Sequence, residues 1–330
     1  MSRWQRGWAA IVVTVLLGAV VVPASASAAT PDPRTKQKLY VEKSGAAYDA
    51  ARAARKAGKI SLAKKLEKIS KRAQGHWIGD WYTGKSARAD VRSYVRKARK
   101  AKRTPVLVVY AIPGRDCGGY SAGGFTPAKY KKWIRQLAKG LSDGAVKGSS
   151  RALVVLEPDA LGLDCVGEGR FALLRYATKK LAATGAWVYI DAGNSSWLPA
   201  AEIAKRLKKA GVAHARGFST NVSNYRRTAA EKKHGDKVSA HLKERGIKLK
   251  NRHFVIDTSR NGRGPTSDAQ WCNPWGRGLG NAPRMVNKAR LDAYLWVKRP
   301  GESDGECNGG PGAGQWWQEM ALELVKNRKR

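Results

Sequence analysis

The apolar residues of this chain fall into short runs rich in β-branched side chains, and several runs end at an acidic residue. Four such runs lead to Asp116, Asp159, Asp191 and Asp304. Polar and basic segments with helical spacing separate them. Strands that alternate with helices are typical of a parallel sheet, and residues that follow the strands of a barrel meet at one mouth. The pattern therefore predicts a parallel α/β barrel whose acids share one cleft.

The front of the chain has a different pattern. Residues 39–72 are rich in Ala and Lys at helical spacing and are interrupted at Gly58, which predicts two helices. An aromatic segment at residues 75–84 predicts a short strand or a loop, and residues 87–103 predict a basic helix. Strands and helices then alternate up to a closing helix at residues 316–329.

The first 29 residues have the features of a secretory signal peptide. Arg3 and Arg6 precede an apolar run at residues 8–22, and small residues up to Ala29 offer cleavage sites. The run is too short for a membrane anchor, and we expect no membrane span. We therefore expect a secreted, extracellular protein.

The chain of 330 residues suits one barrel better than two small domains, because α/β barrels commonly contain about 250 residues. We expect residues 30–38 to form a short polar segment and residues 39–330 to form a single catalytic domain. No Ser/Pro-rich linker leads to a second module, and we expect a monomer.

The four cysteines are an even set in a chain that we expect to be exported, which favours two disulfides over a metal site. They are Cys117, Cys165, Cys272 and Cys307, and no C-x-x-C pair occurs. The spacing alone leaves three pairings open.

The chain carries 63 Lys and Arg against 25 Asp and Glu, a formal net charge of +38. Such an excess is typical of proteins that bind anionic polymers or nucleic acid. The cations are spread over many predicted helices, and no nucleic-acid module is recognisable, so we expect no nucleic-acid partner. We interpret the charge as a basic surface that adsorbs electrostatically to anionic polymers. The alternative is a non-catalytic, polymer-binding barrel.

Several carboxylates at one mouth, with tryptophans nearby, match what glycosidic bond cleavage by paired acids requires. None of the five histidines pairs with another at metal-ligand spacing, so we expect neither a metal nor a cofactor. Seven segments, among them VVLEPDALG, VYIDAGNSSWL and LWVKRPGESDGEC, resemble the signature blocks of glycoside hydrolase family 6, the inverting β-1,4-glucanases. The resemblance covers about Leu39 to Val325. It implies a distorted parallel β/α barrel of about seven strands, with the active-site cleft at the strand C-termini.

The resemblance also implies roles for the four acids. Asp159 matches the general acid, and Asp191 matches the carboxylate beside it, whose charge keeps Asp159 protonated. Asp116 and Asp304 are both candidates for the base that activates water, and the sequence leaves this choice open.

Further residues are implied to bind a β-1,4-glucan chain or to support the site. The glucan-binding set is Trp77, Tyr110, Ser121, Asn194, Trp197, Asn224, Trp271, Lys298 and Glu302. Asn194 stands where the family usually has histidine, and we expect altered affinity there. Arg115 is expected to support Asp116. The family pattern pairs Cys117 with Cys165 and Cys272 with Cys307.

Two loops bear on the mode of cleavage. End-acting members of the family cover the cleft with two long loops, whereas residues 117–127 and 305–313 of this chain are short and rich in glycine. We therefore expect an endoglucanase, with a cellobiohydrolase of the same family as the alternative.

Overall fold

The computed structural model describes residues 1, 2, 4, 32–146 and 148–328. The expected signal peptide lies almost wholly outside these residues and stays a prediction. In the described part, no helix combines the length and the apolar character needed to cross a bilayer. From Asp32 onwards the chain forms one unit.

Within the described residues, the unit is built on one sheet of eight strands. They are β1 (His76–Gly79), β2 (Val106–Tyr110), β3 (Leu153–Leu156), β4 (Trp187–Asp191), β5 (Gly217–Thr220), β6 (His253–Asp257), β7 (Arg284–Lys288) and β8 (Leu291–Leu295). The order in the sheet is β1-β2-β3-β4-β5-β6-β8-β7. All neighbouring pairs are parallel except β7 with β8. Seven strands are thus parallel, as expected, and β7 is an additional antiparallel edge strand.

In the part of the chain that the structure describes, eight α-helices accompany the strands. They are α1 (Ala46–Lys56), α2 (Ile60–Ser70), α3 (Gly84–Lys100), α4 (Pro127–Gly144), α5 (Glu168–Ala182), α6 (Ala200–Lys209), α7 (Thr228–Glu244) and α8 (Gln318–Lys326). The two helices expected at the front are present as α1 and α2. Gly58 lies between them at φ 71°, a left-handed conformation that ends a helix without strain only at glycine.

The sheet is buried on both faces. In β2, Leu107 and Val109 pack beneath the outer helices, while Val106 and Val108 fill the barrel interior. Successive side chains of a strand point to opposite faces, so a strand covered on both sides needs apolar residues throughout. This is why the strands appear in the sequence as unbroken apolar runs. A third cluster joins α1, α2 and α8 around Trp296.

The barrel closes without a full ladder between its first and last parallel strands. The backbone N–H of Gly75, just before β1, donates to the carbonyl of Trp296, just after β8, at 2.8 Å. The indole Nε1 of Trp77 donates to the carbonyl of Val297, also at 2.8 Å. The expected distorted β/α barrel is confirmed.

Two parts of the chain have features that the sequence did not predict. The segment expected to be polar packs against the barrel: Arg34 is buried, its guanidinium lies 4.1 Å from the ring centroid of Trp187, and it pairs with Asp32. Strand β7 was not predicted, because its residues are mostly exposed and polar and lack a two-sided apolar run.

Candidate active site

The four predicted acids all lie at or just after the carboxyl ends of parallel strands. They are therefore at the same end of the sheet. Asp191 is the last residue of β4, and Asp116, Asp159 and Asp304 lie in the loops after β2, β3 and β8. The backbone is strained there: Asp116 has φ 58° and Asp159 has φ 68°, in the left-handed region that costs energy for residues other than glycine. Strain of this kind persists only where the surrounding structure fixes the loop.

Asp159 and Asp191 are in direct contact through the backbone of Asp159. The backbone N–H of Asp159 donates to Oδ2 of Asp191 at 2.9 Å. Oδ2 of Asp191 also accepts from the N–H of Gly193, and Oδ1 accepts from the hydroxyl of Ser219 at 2.9 Å. The carboxyl of Asp159 accepts no hydrogen bond from the described residues. Because donors stabilise the charged form of Asp191 and none stabilises that of Asp159, Asp159 keeps its proton more readily than Asp191 does.

The pKa of Asp159 is raised well above its usual value, first by burial and then by the negative charge of Asp191, with smaller contributions from Asp116 and Asp304. Burial also raises the pKa of Asp191, to about 7, against the effect of its donors. Asp159 retains partial exposure to solvent, so its proton can reach a substrate. This is the arrangement that a general acid requires.

Asp304 lies in the opposite electrostatic setting. Its Oδ2 is 2.8 Å from Nη1 of Arg260, and its Oδ1 is 3.2 Å from Nζ of Lys298. The N–H of Asn273 donates to Oδ2 as well, at 3.1 Å. Burial alone would raise the pKa of Asp304, but the charges of Arg260 and Lys298 outweigh it and lower the pKa. Asp304 is therefore an ionised, tightly held carboxylate.

Asp116 is held by one neighbour in its own loop. The N–H and the hydroxyl of Ser121 both donate to Oδ2 of Asp116, at 2.8 and 2.9 Å. The Ser121 hydroxyl also lies 2.8 Å from the phenol oxygen of Tyr110. Burial, followed by the charge of Asp159, raises the pKa of Tyr110, so the phenol stays protonated. Oδ1 of Asp116 has no hydrogen bond within the described residues.

The support expected from Arg115 takes a different form. Its guanidinium makes no hydrogen bond with Asp116; it donates to the carbonyl of Ser121 at 2.7 Å and pairs with Asp80 at 2.8 Å. Asp80 also accepts from the N–H of Gly124 at 2.7 Å. Arg115 therefore fixes the loop that carries Asp116 without touching the carboxylate. Asp80 was not predicted, although it directly follows β1 at the same end of the sheet as the four acids.

A second acid that was not predicted lies behind the cleft. Glu157 is fully buried, and its Oε2 accepts from the N–H groups of Ala111 and Ile112 at 2.9 and 3.0 Å. Burial outweighs these hydrogen bonds and raises its pKa to about 7. Glu157 thus ties the loop after β3 to the loop after β2. It follows a buried strand directly, which was the available signal in the sequence.

The expected sugar-binding aromatics lie around these acids. Trp77 meets the ring of Tyr110 edge-on at 5.3 Å. Trp197 lies so close to Gly162 and Gly193 that a methyl group on either glycine would come within 2.8 or 2.9 Å of the indole. Since Gly162 belongs to the loop after β3, this contact places Trp197 beside the loop of Asp159.

The loops on the two sides of the cleft touch at one point. Trp271 is 52% exposed, and its ring lies 6.1 Å from that of Tyr120. The ring of Tyr120 also covers Gly305, where an added methyl group would be 2.4 Å away. The loop after β2 therefore meets the loop after β8 through the ring of Tyr120.

The polar residues expected to bind glucan are not equally available. Asn194 is buried and accepts from the N–H of Ser196, while Asn224 is partly exposed. Lys298 points to Asp304 and donates to the carbonyl of Ser303, so most of its bonding capacity is used within the protein. Glu302 lies 3.5 Å from Arg299.

Two disulfides join the loops of the site. They are Cys117–Cys165 and Cys272–Cys307, with Cα–Cα distances of 6.0 and 6.2 Å. The expected pairing is confirmed. Among the residues described, no cluster of three or more His, Cys, Asp and Glu is arranged to hold a metal ion.

The sequence model of the family described as glycosyl hydrolases family 6 matches residues 34–328. The chain belongs to glycosyl hydrolase family 6. Endoglucanase A of Cellulomonas fimi is 46% identical over 301 residues, which are 90% of this chain and 63% of that protein. This family 6 chain therefore spans less than two thirds of that relative.

Other members differ in their named activity. An endoglucanase of Mycobacterium tuberculosis, solved in complex with methyl-cellobiosyl-4-deoxy-4-thio-beta-D-cellobioside, superposes with a TM-score of 0.80 at 42% identity, covering 89% of this chain and 98% of that one. A 1,4-beta-D-glucan cellobiohydrolase of Podospora anserina is 32% identical over 284 residues, 71% of this chain and 66% of that protein. These similar proteins thus include two named as endoglucanases and one named as a cellobiohydrolase.

Proposed function

We propose that this family 6 chain is a secreted endo-β-1,4-glucanase that hydrolyses cellulose or a related β-glucan with inversion at the anomeric carbon. The observation that carries the proposal is the placement of four carboxyl groups at one mouth of the barrel, in unequal electrostatic environments. The pKa of Asp159 is raised well above its usual value beside the hydrogen-bonded carboxylate of Asp191, which suits a proton donor, while Oδ1 of Asp116 lies free of hydrogen bonds from the described residues and suits a base. An inverting hydrolase needs one protonated acid and one ionised base on opposite sides of the sugar.

In the proposed reaction, Asp159 donates its proton to the glycosidic oxygen as the bond to the anomeric carbon breaks. A water molecule attacks that carbon from the opposite face and loses a proton to a carboxylate. We assign this base role to Asp116. Its Oδ1 is free of hydrogen bonds from the described residues, and the Ser121 hydroxyl beside it can hold water. Asp304 is a poor base, because Arg260 and Lys298 lower its pKa and would oppose its protonation.

Endo action is supported by the shortness of the two loops beside the cleft and by the endoglucanase names of two similar proteins. The contact of Tyr120 with Gly305 favours the alternative, a cellobiohydrolase, because it joins the loops. We prefer endo action, since one half-exposed ring can move aside for an internal segment of glucan. Viscosity of carboxymethyl cellulose should then fall quickly relative to the reducing ends released. A slow fall with cellobiose as nearly the sole early product would support the alternative.

The stereochemical test uses the purified mature protein and a soluble mixed-linkage β-glucan. Proton NMR should show the α-anomer of the new reducing end first, and the β-anomer should appear only by mutarotation. Initial release of the β-anomer would exclude inversion. No release from any β-glucan would favour a non-catalytic, polymer-binding barrel. Secretion is tested separately by sequencing the N-terminus of the exported protein, which should begin close to residue 30.

A further inference from the structure

A basic groove lies at the end of the barrel opposite the acids. It has a volume of about 920 Å³ and is lined by nine cationic side chains and by no acidic residue of the part that the structure describes. Three of them, Lys36, Lys38 and Lys43, come from the segment before α1. The end of α3 and the turn after it contribute Lys97, Lys100 and Arg103. Lys71 and Arg72 follow α2 directly, and Arg284 lies in β7.

The fold fixes these segments side by side. The N–H of Thr104 donates to the carbonyl of Lys38 at 3.0 Å, and the N–H of Tyr40 donates to the carbonyl of Thr104 at 2.8 Å. Leu39 between them is buried in the barrel interior, so Lys38 faces solvent. Thr104 precedes β2, whereas Asp116 follows it. Since β2 has five residues, at about 3.3 Å each the groove and the cleft are separated by about 17 Å of strand or more.

The charges of the groove are not neutralised within the protein. Lys71 pairs with Glu67, but the other eight cations have no carboxylate within 4.0 Å among the described residues. Eight like charges around one concavity repel one another, and a bound polyanion would relieve that repulsion. The positive charge expected on the surface is therefore not distributed evenly, because nine cations are concentrated around this groove.

The side chains of the groove also indicate which polyanion fits. A groove for single-stranded nucleic acid combines cations with aromatic faces on which bases stack. The one aromatic residue here is Tyr40, which is half-buried and meets the ring of Tyr94 edge-on at 5.5 Å. Six of the nine cations are lysines, which act as point charges and do not require a planar partner.

We propose that this groove binds a linear acidic polysaccharide whose repeating carboxylates contact the lysines. The choice of a polysaccharide over an inorganic polyphosphate rests on the proposed function, because a glucan-degrading enzyme meets other wall polysaccharides on the same particle. The groove leaves the cleft free, so one molecule can hold an acidic chain while it cleaves a neutral one.

The test compares two variants with the same loss of charge. The groove variant is Lys38→Gln, Lys97→Gln, Lys100→Gln and Arg103→Gln. The control variant is Lys132→Gln, Lys139→Gln, Lys179→Gln and Lys208→Gln, all exposed and on the outer helices α4, α5 and α6. Binding of oligogalacturonate is measured by calorimetry, which does not depend on turnover. Thermal unfolding and hydrolysis of a neutral soluble glucan are followed for both variants to show that each is folded.

The native protein should bind oligogalacturonate and should lose more than about tenfold in affinity between about 50 and 200 mM salt. The groove variant should bind at least about tenfold more weakly than the control at low salt, with glucan hydrolysis unchanged in both. Equal losses of affinity in the two variants, or no binding by the native protein, would contradict the proposal that the groove is the binding site. Tighter binding of inorganic polyphosphate or of single-stranded DNA at the same groove would contradict the proposal that the ligand is a polysaccharide. A groove that binds oligogalacturonate in a protein inactive on glucans would refute the proposed function alone.

Discussion

Asp159 and Asp304 lie at the same mouth of the barrel, and burial acts on both carboxyl groups, yet their pKa values are shifted in opposite directions. No cation contacts Asp159 among the described residues, and the charge that raises its pKa most is that of Asp191. Asp304 contacts Arg260 and Lys298. Burial favours the neutral form of both carboxyls, so the neighbouring charges decide which one keeps its proton.

The largest expected effect comes from removing the proton donor. Asp159→Asn should lower kcat on unactivated β-glucan by about a hundred- to ten-thousand-fold, the usual contribution of general acid catalysis. Binding of cello-oligosaccharides should change little, because the amide has nearly the same shape. Asp164→Asn, an exposed position in the same loop, is the matched control and should retain activity. Equal activity of the two variants would show that Asp159 is not the general acid.

Removing a cation should make the electrostatic environment of Asp304 more similar to that of Asp159. Arg260→Met leaves the buried carboxylate with Lys298 alone, and we expect a loss of about 3 to 5 kcal/mol in the free energy of unfolding. Denaturant titration measures it. Arg263→Met, at an exposed guanidinium, should cost far less. Similar losses in both variants would show that the ion pair contributes little.

Removing the neighbouring negative charge should change the pH profile. After burial, the charge of Asp191 is the next contribution that raises the pKa of Asp159. In Asp191→Asn that contribution is lost, so Asp159 deprotonates at lower pH and the alkaline limb of kcat/KM moves to lower pH. A limb that stays in place, or moves to higher pH, would contradict the coupling.

The smallest effect is expected at the proposed base. Ser121→Ala removes one hydrogen bond to Asp116 and leaves the backbone donor in place. One such bond is worth about 0.5 to 1.5 kcal/mol, so kcat should fall by about two- to tenfold. Ser93→Ala, exposed on α3, should have no effect. No change at Ser121 would weaken the assignment of Asp116.

The sequence predicted the acids and the frame that carries them, because strands buried on both faces are visible as apolar runs and the acids follow them directly. It did not predict the environment of each acid. Arg260 and Asn273 reach Asp304 only through the folding of separate loops, and Asp80 meets Arg115 across β1 and β2. Pairings between distant segments leave no local pattern. The family resemblance supplied the disulfides and the strand count for the same reason.

The basic groove shows the same limit. Along the chain its cations are dispersed over four segments, each of which is typical of a solvated helix end or turn. The parallel bridge of Leu39 with Thr104 joins two of these segments, and the fold brings the other two beside them. Net charge therefore predicted an anionic partner but not a place for it.

The most direct test of the account is the titration of the two carboxyls in the folded protein. Carbon-13 NMR of aspartate-labelled protein, with signals assigned from Asp159→Asn and Asp304→Asn, follows each one separately. We predict that the Asp159 signal titrates well above the usual aspartate value of about 3.9, and that the Asp304 signal titrates below it. An Asp159 signal that titrates at or below that of Asp304 would contradict the assignment of the proton on which the proposed mechanism depends.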